Sequence, residues 1–421
     1  MKIIDAINNR PGCIAFSHYS AANDVSGVTT WLENLLLRLS ADGVPLAVLL
    51  HHFGDNVEQS SLLESLRAAG IHVEIVPRKS SLSEDVLTTL EFLNRHQPLV
   101  FLPQCLEAMF FAANIAGHQG LPWVLTLHSD EDIYWAIAEE TSPETCNGAL
   151  VGVSKYLCSL SERKGLSTHP FCIPCGVSSS RDKAEFNDKP FRVVYSGRVV
   201  EKQKRISLVV ETMAHACRQD SRIECVILGQ GLDFESARHW VDTQNLGDKI
   251  IFLGRLTPDE VRDELARCHV LLLMSDYEGL PVCLLEAMTT GVVPVVRDIS
   301  SGIPELVVSE HTGLVVDDNP QHAADAIVRL LNDPALWTRC SCAAKTLVER
   351  QYSDERSYSL WCDLISELVS HSTAMCYPLT IPKDLKLPKG HSIIGRNYPV
   401  SSSLIQRVLK KARHVLCHGN K

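Results

Sequence analysis

Short apolar runs alternate with segments of helical period along nearly the whole chain. The runs predict strands over 13–17, 46–51, 72–76, 99–102, 123–127 and 149–153, and a second set over 192–195, 224–228, 250–253, 270–274, 292–296 and 314–316. Between them, residues 29–39, 207–217 and 258–266 repeat apolar positions at helical spacing. Strands that are apolar on both faces and separated by helices form parallel sheets built from βαβ units. Two such sets in one chain predict an α/β protein with two doubly wound, Rossmann-like domains. The break falls in the polar, turn-rich stretch PCGVSSSRDKAEFNDKP, residues 174–190. Ligands of open parallel sheets bind beyond the carboxyl ends of the strands, so two facing sheets place the site in the cleft between them.

Composition narrows the reading. The 421 residues are 45% hydrophobic, enough for two cores. The net charge of −10 argues against a nucleic-acid binder. Residues 376–421 carry nine Lys/Arg against one acid, Asp384, leaving −18 for residues 1–375. The fifteen cysteines are scattered through apolar runs, as for small buried hydrophobes in a reducing setting. The opening MKIIDAINNRPGCIAF lacks a long apolar stretch with a cleavage site, and no run approaches the roughly 20 residues of a spanning helix. A cytoplasmic location is expected.

The stretch SDYEGLPVCLLEAM, residues 275–288, follows the strand over 270–274 and holds two glutamates eight positions apart. Pro281 suits the first turn of a helix, where its missing N–H costs no bond. Gly279 lets backbone approach a ligand, and the free N–H groups of the helix start suit an anion such as a diphosphate. Glu278 then stands at the helix mouth and Glu286 well inside it. Eight helical residues rise roughly 12 Å, about the span from a sugar to a ribose across a diphosphate. A turn acid and a solvated helix residue would read the same way.

Other motifs carry charge or glycine at strand ends. In VVYSGRVVEKQKRISLVVE, residues 193–211, Gly197 and Arg198 end a strand, and Lys202 or Lys204 supplies a second cation able to neutralise a leaving diphosphate. Gly229 and Gly231 begin a dinucleotide fingerprint, but Phe234 takes the third glycine position and the fingerprint fails. Ser26-Gly27-Val28 opens an amphipathic helix, where Gly27 allows close approach of a phosphate. His128 and Asp130 end the strand over 123–127. Cys172 and Cys175 form a C-x-x-C without a second ligand pair at sensible spacing, so neither metal nor redox use is expected.

SDYEGLPVCLLEAMTTGVVPVV followed by SSGIPELVVSEHTGLVV closely resembles the donor-site signature of retaining GT-B glycosyltransferases of the family 4 type, the glycosyl transferases group 1, over some 45 residues. VGVSKYLCSL and IPCGV are similar to further family landmarks. The resemblance implies that Glu286 binds the ribose and Glu278 the donor sugar. It further implies that Arg198 and a lysine, Lys204 with Lys202 as the alternative, bind the donor phosphates. His128 would lie near the donor sugar and Gly254 near the base. Gly27, Gly197, Gly279, Leu280 and Pro281 would complete the donor site. It implies three parts: an amino-terminal acceptor-side domain over 1–176, a donor domain over 177–353, and a helix over 354–371 that returns to the first domain. A basic tail over 372–421 would then be an addition.

The expected function is a metal-independent retaining glycosyltransferase needing no cofactor. It would move a sugar from a nucleoside-diphosphate sugar to a hydroxyl on a glycan, lipid-linked or small-molecule acceptor, in polysaccharide or glycoconjugate synthesis. A phosphorylase or sugar-nucleotide hydrolase, an NAD-type oxidoreductase and a catalytically inactive nucleotide-sugar binding protein are the alternatives. In residues 403–416 Leu404, Ile405, Val408, Ala412, Val415 and Leu416 share one helical face, with Arg407, Lys410 and Lys411 off it. Such a helix either meets an anionic membrane or packs on the acidic body.

Overall fold

A computed structural model of the chain describes residues 7, 12–21, 26–53, 60–180, 183–371, 377–388, 393–395 and 398. Two parallel sheets form its frame. The first has the order β3-β2-β1-β4-β5-β6-β7. Its strands are β1 (Ile14–Ala21), β2 (Leu46–Phe53), β3 (His72–Pro77), β4 (Val100–Pro103), β5 (Trp123–Leu127), β6 (Gly148–Gly152) and β7 (Phe171–Cys172). The second has the order β10-β9-β8-β11-β12-β13. It comprises β8 (Phe191–Ser196), β9 (Ile223–Leu228), β10 (Ile250–Gly254), β11 (Val270–Leu273), β12 (Val293–Arg297) and β13 (Leu314–Val316). This is the doubly wound α/β arrangement that the strand pattern predicts.

Both sheets reverse strand order at the same place, between β1 and β4 in one and between β8 and β11 in the other. The register of Ile14 with both Leu46 and Val100 puts β1 at the centre of its sheet, and Val193 pairs with both Cys225 and Val270. The loops that leave β1, β4, β8 and β11 therefore diverge above each reversal and leave crevices for ligand. They carry Gly27, Gln104, Arg198 and Glu278.

Local sequence explains the helices around these sheets. Ser26 caps Gly27–Ala41 by accepting from the Thr29 N–H at 3.1 Å. Thr257 and Glu260 form a capping box on Pro258–Leu265. Leu32, Leu36, Phe101 and Trp123 are wholly buried in the core of the first domain, and Val193, Ile227, Leu272 and Leu284 in that of the second. Each such side chain contributes about 1.5–3 kcal/mol.

The helix Asp354–His371 begins beside Val177, whose N–H donates to Tyr352 O at 3.0 Å, and runs onto the first domain. There Trp361 packs on Trp31 with ring centroids 5.3 Å apart, and the Tyr358 hydroxyl donates to Asp42 at 2.5 Å. Beyond it, Leu379 exchanges hydrogen bonds with the Asn94 side chain. The helix expected over 403–416 lies outside the described residues. Among the described residues no helix is long and apolar enough to cross a membrane, and the described cysteines are free thiols.

Candidate active site

The loop after β11 delivers Glu278, and the short helix Glu201–Lys204 after β8 delivers Lys204. Both are buried, and the Lys204 ammonium donates to Glu278 Oε1 at 2.5 Å. Burial works against the Lys204 charge, but the Glu278 carboxylate outweighs it and holds the ammonium above its ordinary pKa. Lys202 is exposed and takes no part in this pair. The two lysines stand two positions apart in one helical turn, so they point to opposite sides, Lys204 inward and Lys202 to solvent.

Arg198 lies at the exposed mouth of the same loop. Its Nη2 donates to Gln203 Oε1 at 2.5 Å, and Gln203 Nε2 donates in turn to the Tyr277 carbonyl at 3.2 Å. Gln203 is thus a buried brace between the Arg198 and Glu278 loops. Sequence reasoning passed over it because a glutamine between two lysines carries no chemical signal of its own.

The Gly229-x-Gly231 turn supports this loop from behind. A side chain on Gly229 would begin 1.9 Å from the Gly197 carbonyl oxygen, and one on Gly231 2.2 Å from that of Val199. The Gly197 N–H donates to Leu228 O, and the Gly229 N–H to Gly254 O. The place a dinucleotide pyrophosphate would take at this turn is filled by the chain's own backbone. Gly254, at φ +71°, ends β10 beside it.

The helix Val282–Thr289 starts one residue later than the sequence suggests. Pro281 stands at the N-cap with φ −70° and ψ 114°, so residues 278–281 are outside the helix and their spacing is not a helical rise. The cause is the extended ψ of Pro281, which lies outside the helical region and delays the helix by one residue. No side chain caps this helix start, which leaves its first N–H groups open to an anion. Leu280 is buried behind it. Glu286 is half-buried and has no hydrogen-bond or ion-pair partner among the described residues. Burial pushes its carboxyl up to about 7, against the opposing pull of Arg262.

The amino-terminal domain meets this region closely. A side chain on Gly27 would begin 3.0 Å from Val282 Cγ2, so the starts of helices Gly27–Ala41 and Val282–Thr289 face each other. A side chain on Gly279 would begin 2.1 Å from the His128 carbonyl oxygen. The Tyr277 hydroxyl donates to Glu131 at 3.1 Å, and the Tyr156 N–H to Glu305 at 2.9 Å. The His128 ring is buried, bonds to Gln104 Oε1 at 2.8 Å and is pushed down to about 3 by burial, with His18 adding to it. It is a neutral imidazole at ordinary pH. Asp130 accepts from Trp135 Nε1 and from the Tyr156 hydroxyl at 2.7 and 2.6 Å, a structural engagement.

The remaining sequence candidates fall elsewhere. Cys175 is buried and Cys172 exposed, and Cys172 lies against Cys158, not its C-x-x-C mate. Donor atoms of His72, Glu74 and His96 come within 4.8 Å of one another on the far end of the first sheet. There Glu74 is already held by Arg95 and His96, each at 2.5 Å.

Comparison with known proteins agrees with this layout. Residues 177–347 match the family model described as glycosyl transferases group 1. An alpha-D-kanosaminyltransferase of Streptomyces kanamyceticus is 28% identical over 174 residues, 41% of this chain and 44% of that protein. The N-acetyl-alpha-D-glucosaminyl L-malate synthase of Bacillus anthracis is 30% identical over 160 residues, 38% of this chain and 41% of that protein. The chain spans less than half the length of these curated relatives. Among solved structures, Anabaena Alr3699/HepE in complex with UDP superposes with a TM-score of 0.69 at 15% identity, over 84% of this chain and 100% of that one. Sucrose-phosphate synthase from Thermosynechococcus elongatus does so with a TM-score of 0.70 at 16% identity, over 86% and 100%. Residues 177–347 thus match the model of the glycosyl transferases group 1 family, and the two sheets together make the GT-B fold.

Proposed function

We propose that the chain is a retaining glycosyltransferase that moves a sugar from a nucleoside-diphosphate sugar to a hydroxyl acceptor in polysaccharide or glycolipid synthesis. The observation that carries the reading is the convergence, at the reversal points of both sheets, of two facing helix starts, of which that at Val282 has no side-chain cap, a buried Lys204–Glu278 pair and a carboxyl without a partner, Glu286. The diphosphate sits at the mouth of the two helix starts, Gly27 and Val282, and against Lys204 and Arg198. Glu286 accepts the two vicinal hydroxyls of the ribose, which answers the desolvation it otherwise bears. Glu278 faces the donor sugar and keeps Lys204 charged.

As the bond to the anomeric carbon breaks, negative charge grows on the departing diphosphate. Arg198, Lys204 and the helix N-termini are already aimed at it, so they need no reorganisation in the transition state. None of Glu278, Glu286 or Glu131 is needed as a covalent nucleophile: the acceptor hydroxyl attacks the anomeric carbon from the face the leaving group vacates, and its proton passes to an oxygen of the departing diphosphate. The neutral His128 and its backbone carbonyl border the sugar without adding charge. The chain supplies this neutralisation from its own cations, and no cofactor is part of the proposal. The acceptor enters from the amino-terminal side. Residues 403–416 would bring a lipid-linked acceptor near if they lie on an anionic membrane.

The test is a thermal-shift panel with UDP, GDP, ADP, dTDP and NAD on wild type and Glu286→Ala. A ligand at 100 times its Kd stabilises by about 2.7 kcal/mol. One diphosphate should raise Tm in wild type and fail in the variant; a rise with NAD alone would replace the transferase with an oxidoreductase.

A further inference from the structure

Far from the donor site, one cluster combines two imidazoles with a carboxylate. Strand β3 brings His72 and Glu74 to one face, because alternate residues of a strand point the same way. The helix Leu82–His96 ends at that face with His96, its last residue. One donor atom from each of the three lies within 4.8 Å of the other two. The rings of His72 and His96 have centroids 5.0 Å apart, and His96 Nε2 meets Glu74 Oε1 at 2.5 Å. His72 opens its strand and His96 closes its helix, so the cluster lies on the amino edge of the sheet, opposite to the edge that carries Gly27 and Gln104. Strand β3 also ends the strand order, which leaves the outer side of the cluster open: His72 is exposed, and Glu74 and His96 are half-buried.

An ion pair accounts for only part of this arrangement. Arg95 Nη2 donates to Glu74 Oε2 at 2.5 Å, and the other oxygen, Oε1, is turned to His96. Burial works against the Glu74 charge, but Arg95 and His96 outweigh it and hold the carboxyl below its ordinary range. Glu74 is therefore ionised at neutral pH. Neither contact explains why a second imidazole, His72, reaches the same oxygen. The Phe92 ring packs on His96 with centroids 4.7 Å apart and sets the plane of its imidazole. A carboxylate steadied through its outer oxygen and an imidazole steadied by a neighbouring ring are what orient the ligands of a metal ion. Zinc holds nitrogen and oxygen ligands at about 2.0–2.2 Å in a tetrahedron, which sets the donor atoms roughly 3.3 Å apart. Rotation of the exposed His72 ring and a slight opening of the His96–Glu74 contact bring the three atoms to that spacing.

We propose that His72, Glu74 and His96 bind one transition-metal ion of the zinc class, with water in the fourth position. Two imidazole nitrogens and one carboxylate oxygen suit Zn2+, Co2+ or Ni2+, whereas Mg2+ and Ca2+ take all-oxygen sets. His96 Nε2 turns its lone pair to the ion in place of a proton shared with Glu74, and Arg95 stays on Glu74 Oε2. The ion then ties the last turn of the helix Leu82–His96 to strand β3 and braces that edge of the sheet. It stands on the opposite edge from the donor cleft and takes no part in sugar transfer, so the inference does not rest on the transferase reading.

The test uses the full chain without an affinity tag, reduced and stripped of metal by a chelator, with zinc chloride alone as the probe. Equilibrium dialysis counts bound zinc in wild type, His72→Gln, Glu74→Gln and His96→Gln. Wild type should hold one tightly bound zinc that each variant binds at least about a hundredfold more weakly, since loss even of an outer partner costs about 10–100-fold. Co2+ in its place should give the d–d bands of a nitrogen and oxygen set without a thiolate charge-transfer band, which separates the site from the fifteen cysteines. Zinc should raise Tm and slow amide exchange over 72–77 in wild type, and Mg2+ should do neither. Equal zinc binding in wild type and His72→Gln would overturn the site. So would a cobalt spectrum carrying the thiolate band and unchanged in the three variants. His72 is exposed and its replacement leaves the core untouched, so His72→Gln decides the matter if His96→Gln does not fold.

Discussion

Glu286 offers a prediction whose sign and size both follow from the structure. In the free protein burial pushes its carboxyl up to about 7, while the ribose hydroxyls can donate two hydrogen bonds only to the ionised form. The carboxylate fraction is about one tenth at pH 6 and about nine tenths at pH 8 for such a group. Affinity for the diphosphate should therefore rise about tenfold across that interval, close to 1.4 kcal/mol. The diphosphate's own ionisation adds a pH dependence of its own. Glu286→Gln removes the carboxyl and keeps that background, so the ratio of the two proteins isolates Glu286. The assay is isothermal titration at pH 6 and pH 8 on both. The free protein carries the opposite linkage. A carboxyl raised on folding adds stability that is complete below its ordinary value and lost as pH rises to about 7. Glu286→Gln should flatten that decline in denaturant unfolding. An identical pH ratio in wild type and Glu286→Gln would refute the role given to this residue.

Other perturbations test separate parts of the site. Lys204→Met leaves Glu278 buried without its counter-ion and should cost about 3–5 kcal/mol in denaturant unfolding, with much of that recovered in the double variant Lys204→Met/Glu278→Gln. Arg198 is exposed at the loop mouth, so Arg198→Ala should leave Tm nearly unchanged and lower kcat about a hundredfold. A normal rate in that variant would remove Arg198 from the chemistry. Gly279→Ala would put a methyl 2.1 Å from the His128 carbonyl oxygen. It should hold the domains apart, seen as a larger radius of gyration in solution scattering and a loss of turnover at an unchanged Tm.

Much of this was legible in the sequence, and the reasons are local. Runs such as Val270–Leu273 are apolar on both faces and bounded by turn residues, so period and length placed twelve of the strands within a few residues. The two-residue β7, Phe171–Cys172, was not among them because two residues set no period. Helix phase decided between Lys202 and Lys204, which spacing alone left open. Gln203 acts as a brace only because Arg198 and Tyr277, 74 residues away from it, converge on its side chain. The Asp85–Tyr398 contact joins residues 313 positions apart, and neither motif nor periodicity announces such a pair. The helix start was misjudged because Pro281 can serve equally as N-cap or first helical residue, and only its ψ separates the two.

The most direct test of the central claim is the stereochemistry of donor turnover with water as acceptor. Wild-type protein would be mixed with α-linked UDP, GDP, ADP and dTDP sugars, and the anomeric proton of the first free sugar followed by NMR before mutarotation. The account predicts that one donor is consumed and that the α anomer appears first. A β anomer forming first, or no turnover of any of these donors, would contradict it.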